Sequence, residues 1–146
     1  MKIRLRLAHH AVDRVRMHSM EIAFDEFTEY FQLTARGRFS VEASGPAFEE
    51  LLKRCLETGY TQVLVDFSGL SNIDSATLRV MFAVNARALY QNYLDSGGHP
   101  IRVAFFGDFW TWQPGMDAAS ENGPGVRTFT EIEEARAWLC SSPDAD

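Results

Sequence analysis

Residues 62–88 read QVLVDFSGLSNIDSATLRVMFAVNARA. Val63, Leu64 and Val65 form an unbroken apolar run, the pattern of a central strand buried on both faces of a sheet. The run ends at Asp66, a short polar loop follows, and a helix opens at Asp74-Ser75 and continues to about Leu94. On that helix Leu78, Met81, Phe82, Asn85, Leu89 and Tyr93 share one face, while Val80, Val84 and Ala88 add a second apolar strip. A helix that is apolar on two sides needs cover on two sides, so the spacing raises self-association as an expectation. Asp74 suits the N-cap, because its carboxylate can accept backbone N–H groups two or three residues on; Ser71 is an alternative cap, with Asp74 as its box partner. Either cap leaves Ser75 in the first helical turn.

The flanking segments extend this strand–helix unit in both directions. Upstream, IAFDEFTEYFQLTARG (22–37) alternates apolar and polar residues and reads as two short strands, about 21–25 and 28–36, joined at Asp25-Glu26. Phe39 and Val41 fit a short extended piece. In GPAFEELLKRCLETGY (45–60), Phe48, Leu51, Leu52, Cys55 and Leu56 make one helical stripe, with Pro46 in the first turn and Gly59 at the C-terminal end. Cys55 is thereby a core residue. Downstream, DSGGHP (95–100) makes a turn, IRVAFF (101–106) a strand closed by Gly107-Asp108, and WTWQPGMDAAS (110–120) a short helix around Pro114. VRTF (126–129) is a last strand. TEIEEARAWLC (130–140) is a last helix, with Thr130 and Glu133 spaced as a capping box. Strands alternating with helices after residue 44 imply right-handed crossovers and a partly parallel sheet. The predicted fold class is α/β, a single mixed sheet with about four helices.

A chain of 146 residues suits one domain with its own core. The formal net charge of −6 argues against a general nucleic-acid binder, which needs a basic face for phosphates. Residues 1–16 depart from that balance. Lys2, Arg4, Arg6, Arg14 and Arg16 stand there against Asp13 alone, leaving nine of the 14 basic and nineteen of the 20 acidic residues to the remainder. They read as a basic N-terminal extension, disordered or foreign to the domain, with residues 17–146 as the single domain. No apolar run approaches the roughly 20 residues that cross a bilayer. The two cysteines, Cys55 and Cys140, have no metal-ligand spacing, which favours a reduced cytoplasmic protein without a metal site.

Motifs for enzyme chemistry are missing: no G-x-G-x-x-G, no P-loop, no H-E-x-x-H and no G-x-S-x-G. His9, His10 and His18 lie in or near the basic stretch and His99 in a turn. The pattern therefore predicts no catalytic residues and no cofactor. Asp66 and Asp74 lie near the C-terminal end of the central strand, where open α/β sheets bind ligands. Trp110 and Trp112, at i and i+2, cannot both point into the core from one helix face; the exposed one would anchor a partner or rim an apolar pocket.

The stretch 62–88 resembles the core of STAS domains, the family of bacterial anti-sigma-factor antagonists and of sulfate-transporter cytoplasmic domains. Those show a hydrophobic strand ending in Asp, a short loop, and Asp-Ser at a helix start, here Asp66 and Asp74-Ser75. The second half is similar to small SpoIIAA-like proteins of a divergent bacterial branch, through Gly107, Asp108, Trp110, Trp112, Phe129, Thr130, Ala135, Trp138 and Leu139. The resemblance implies a non-enzymatic regulatory domain that docks a protein partner, a kinase or another regulatory protein. It implies Ser75 as the phosphorylation site, and a working surface at the 68–77 loop and helix start that includes Asp66, Ser68, Asp74, Ser75 and Thr77. The alternative reading is a module for a small apolar, lipid-like ligand, with a pocket or interface near the 74–94 helix drawn from Phe82, Trp110, Trp112 and Met116. A homodimer is expected on the grounds of the two-sided helix; no nucleic acid and no membrane span are.

Overall fold

The computed structural model describes residues 10–17, 20–71, 76–107 and 125–141. Six strands make one sheet: β1 (His10–Met17), β2 (Met20–Glu26), β3 (Phe31–Arg38), β4 (Gln62–Ser71), β5 (Arg102–Phe106) and β6 (Gly125–Phe129). Their order in space equals their order in the chain. β1, β2 and β3 are antiparallel neighbours; β3, β4, β5 and β6 run parallel. Three helices are described: α1 (Val41–Thr58), α2 (Ala76–Asp95) and α3 (Ile132–Leu139). The expected mixed α/β sheet is present, and the fourth helix expected at 110–120 lies outside the described residues.

Alternation along the strands builds two cores of unequal size. Val63, Val65 and Phe67 of β4 point to one face with Ile22, Phe24, Phe31, Leu33, Val103 and Phe105, and α1 and α2 cover that face. Five rings meet there: Phe82 lies about 6.1 Å from Phe39, Phe48 and Phe67, and Phe67 lies 5.5 Å from Phe105. Leu64 and Ala104 point the other way, where Tyr30 and the Ala135 and Leu139 side of α3 pack on them.

Several local expectations are corrected. The extension was to end at residue 16, yet His10–Met17 pairs with Met20–Glu26, so residues 10–16 belong to the sheet. The extended piece at Phe39–Val41 does not form. Ser40 is the N-cap, its hydroxyl accepting from Ala43 N–H at 3.2 Å, so α1 starts at Val41 and Pro46 falls inside it rather than in its first turn. The Thr130 capping box does not form either. The N-cap of α3 is Glu131, without a side-chain bond, and Glu133 pairs with Arg136 at 2.8 Å instead. Ser71 is not a cap for α2: it sits in β4, and its hydroxyl donates to the Gly37 carbonyl at 3.2 Å. β4 thus runs through Ser68, Gly69 and Leu70, which the sequence assigned to a loop. Cys55 is buried as expected, and desolvation pushes its thiol up to about 12.

Candidate interaction surface

Beyond Val65 the β4 strand is irregular. Thr34 of β3 pairs with Asp66, but Arg36 pairs with Gly69, so β4 fits one extra residue between these partners. This is a β-bulge, and Asp66 holds it. Its Oδ1 accepts from the Ser68 backbone N–H at 3.0 Å and from the Ser68 hydroxyl at 2.6 Å. Asp66 is half-buried, and Ser68 and Gly69 are exposed. The bulge lies near the C-terminal end of β4, which ends at Ser71.

Across the pairing, Arg36 stands opposite Gly69 and Arg38 opposite Ser71. Both arginines are exposed, and the stem of Arg36 lies where a Gly69 side chain would be. Phe39 closes the strand end, its N–H donating to the Ser71 carbonyl at 2.9 Å. On α2, Thr77 is exposed in the first turn, followed by Val80, Met81 and Val84, which are 41%, 48% and 56% exposed. Arg36, Arg38, Ser68 and Ser71 thus share the C-terminal end of β3 and β4, while Thr77, Val80, Met81 and Val84 lie on the exposed side of α2. The arginines were not among the sequence candidates. Their signal was the R-G-R alternation of residues 36–38 at a strand's polar end.

The predicted site residues fare differently. Asp66, Ser68 and Thr77 are brought to this end; Asp74 and Ser75 lie outside the described residues. Phe82, nominated for a pocket or interface, is only 3% exposed and fills the aromatic core. The hollows beside it measure about 10 Å³ each, at most enough for one water. Trp110, Trp112 and Met116 lie outside the described residues. A separate groove of about 580 Å³ runs between α1 and α2, with Leu52, Leu56 and Leu89 at its base and Glu49 and Lys53 on its rim. Among the described residues no group of three or more His, Cys, Asp or Glu is placed to hold a metal ion, and no helix is long and apolar enough to cross a membrane.

No family model matches the chain, and no curated protein matches it. Solved structures do. An anti-sigma factor antagonist from Mycobacterium paratuberculosis aligns over 84% of this chain and 96% of its own, with a TM-score of 0.52 at 10% identity. An uncharacterized protein of the DUF3478 family with a SpoIIAA-like fold, from Shewanella loihica, aligns over 88% and 100%, with a TM-score of 0.52 at 21% identity. The protein TM1081, solved by NMR, aligns over 91% and 100%, with a TM-score of 0.54 at 12% identity. The chain is a STAS-like domain in fold, of the SpoIIAA-like kind.

Proposed function

We propose that this domain is a non-enzymatic regulatory module that docks a protein partner on the surface formed by the bulged end of β4 and the start of α2. The observation that carries this reading is the bulge itself: Asp66 spends its carboxylate oxygen on Ser68, holding exposed Ser68 and Gly69 beside Arg36 and Arg38. A carboxylate committed to local structure serves a docking surface better than proton transfer. The fold likeness to an anti-sigma factor antagonist supports a partner that is itself a regulatory protein. The site works without a cofactor, and the module acts in the cytoplasm.

Ser75 immediately precedes α2 in the chain and tunes the docking. A phosphate there adds roughly −1.5 to −2 charge at neutral pH and meets the positive end of a helix dipole. It also sits beside Asp74 in sequence and changes the charge that Arg36 and Arg38 present. A kinase is the second partner this reading requires.

The test is an affinity pull-down with wild type and Ser75→Asp in parallel, with intact-mass analysis of the recovered bait. The expected result is a defined partner held by wild type and reduced at least about tenfold by the variant, about 1.4 kcal/mol in binding. A mass increase of about 80 Da mapping to Ser75 marks phosphorylation. Equal partner recovery with no such adduct removes Ser75 from the mechanism. Loss of binding in Arg36→Glu/Arg38→Glu locates the surface independently of Ser75.

A further inference from the structure

The outer face of α2 poses a separate problem. Thr77, Val80, Met81, Val84 and Ala88 are all exposed and follow one another at helical spacing. They form an apolar stripe over about 16 Å of helix, at 1.5 Å per residue. Phe82, Ala86 and Tyr90 already bury the opposite face against the sheet. Among the described residues the stripe is left exposed.

Its charge pattern narrows what can cover it. The chain carries 20 acidic residues, yet none falls between Asp74 and Asp95; Arg79 and Arg87 are the charges of that span. Two copies with a net charge of −6 each repel one another over most of their surfaces. Here they can meet without facing acidic groups, and depletion of charge is the compositional mark of an interface core.

The order of side-chain sizes narrows it further. The bulky Val80 and Met81 stand on the N-terminal side of Val84, and the small Ala88 on its C-terminal side. If a second α2 is laid antiparallel about Val84, Val80 of each copy faces Ala88 of the other and Met81 faces Arg87. Val84 then meets Val84, and Thr77 faces Gln91. Val80 thus falls on Ala88 twice over, since the two-fold axis of an isologous contact repeats every pair. The antiparallel arrangement also opposes the two helix dipoles favourably. We infer that α2 is a self-association face, packing against α2 of a second copy around Val84. The contact is small, so association is reversible and concentration-dependent. This inference and the proposed docking surface meet at the start of α2, where Thr77, Val80 and Met81 border both.

Sedimentation equilibrium of the full chain tests it. The expected result is a mass that rises from 16.5 kDa toward twice that value as concentration increases. Val84→Glu should hold the monomer mass throughout, with an unchanged circular dichroism spectrum. Because that variant places a charge in the stripe, a second test uses Val84→Cys in a Cys140→Ser background with a short bismaleimide. Cross-linked dimer should exceed that from Glu49→Cys on α1 at least tenfold. A monomer at every concentration, with equal cross-linking at the two positions, overturns the inference. If the introduced thiol then alkylates freely, the stripe belongs to a different protein partner. If it is protected in that monomer, a segment of the same chain covers it. Failure here leaves the Ser75→Asp and Arg36→Glu/Arg38→Glu results untouched.

Discussion

Cys55 shows how a single side chain ties the core to solution conditions. It is buried on the inner face of α1, and with its thiol pushed up to about 12 the folded protein keeps it protonated. In the unfolded chain the same thiol ionises near its ordinary value, close to pH 9. The stabilisation is therefore complete below about pH 9 and is lost as pH rises toward 12. Urea melts at stepped pH should show the loss begin near pH 9, and Cys55→Ala should flatten this part of the profile while lowering stability at neutral pH. Phe82 carries more packing: it meets Phe39, Phe48 and Phe67, and Phe82→Ala should destabilise the fold by about 3–5 kcal/mol. Differential scanning calorimetry against wild type checks this value. The sequence pointed correctly to Cys55 in the core, since it lies on one stripe with Phe48, Leu51 and Leu52. It offered Phe82 as a pocket or interface residue because helical spacing separates faces, but does not tell which of two apolar faces meets the sheet.

Helix ends were the least legible elements. Ser40 and Thr130 both have the chemistry of a cap, but Ser40 alone caps. The difference lies in competition. Ser40 follows Phe39, whose backbone is anchored to Ser71 and whose ring is buried, so the chain arrives at α1 in a fixed direction. Ser40→Ala should cost about 1 kcal/mol and lower the midpoint of thermal unfolding by about 3 °C. Thr130→Ala should leave the midpoint within error, because α3 starts one residue later and Glu133 is engaged by Arg136. Strands were read more surely than helix ends. The unbroken run Val63-Leu64-Val65 gave the central position of β4, confirmed by partners on both sides. Its continuation through Ser68 to Ser71 was hidden by polar residues that look like a loop. Only the pairing with Arg36–Arg38 makes them a strand, and such long-range pairing leaves no local mark. Gly98 has a similar origin: a side chain there would run into the Tyr93 ring, whose hydroxyl donates to the His99 carbonyl at 2.6 Å. The turn was visible in the sequence; the close approach was not.

At the scale of the whole molecule, the α/β class and the mixed sheet followed from periodicity, and the SpoIIAA-like kind from the stretch around Asp66 and the C-terminal helix. The pairing of residues 10–16 with β2 was not legible, because charge composition says nothing about an edge strand's backbone pairing. The sheet also has an uneven cover. Two helices lie over one face, while the described cover of the other is α3, which packs on β4, β5 and β6. Over β2 and β3 that second face carries Glu21, Asp25, Thr34 and the nearly buried Gln32. Its polarity fits the lack of a covering helix over β2 and β3 among the described residues.

The strand order has a consequence for how the protein is made. Each strand pairs with the one synthesised immediately before it. No finished pair must open to admit a later strand, so on the ribosome the sheet can grow by accretion at one edge. The antiparallel hairpin of β2 and β3 is complete once residue 38 has emerged, and it then serves as the template for β4. The order of synthesis and the order of strand pairing run in the same direction along this chain.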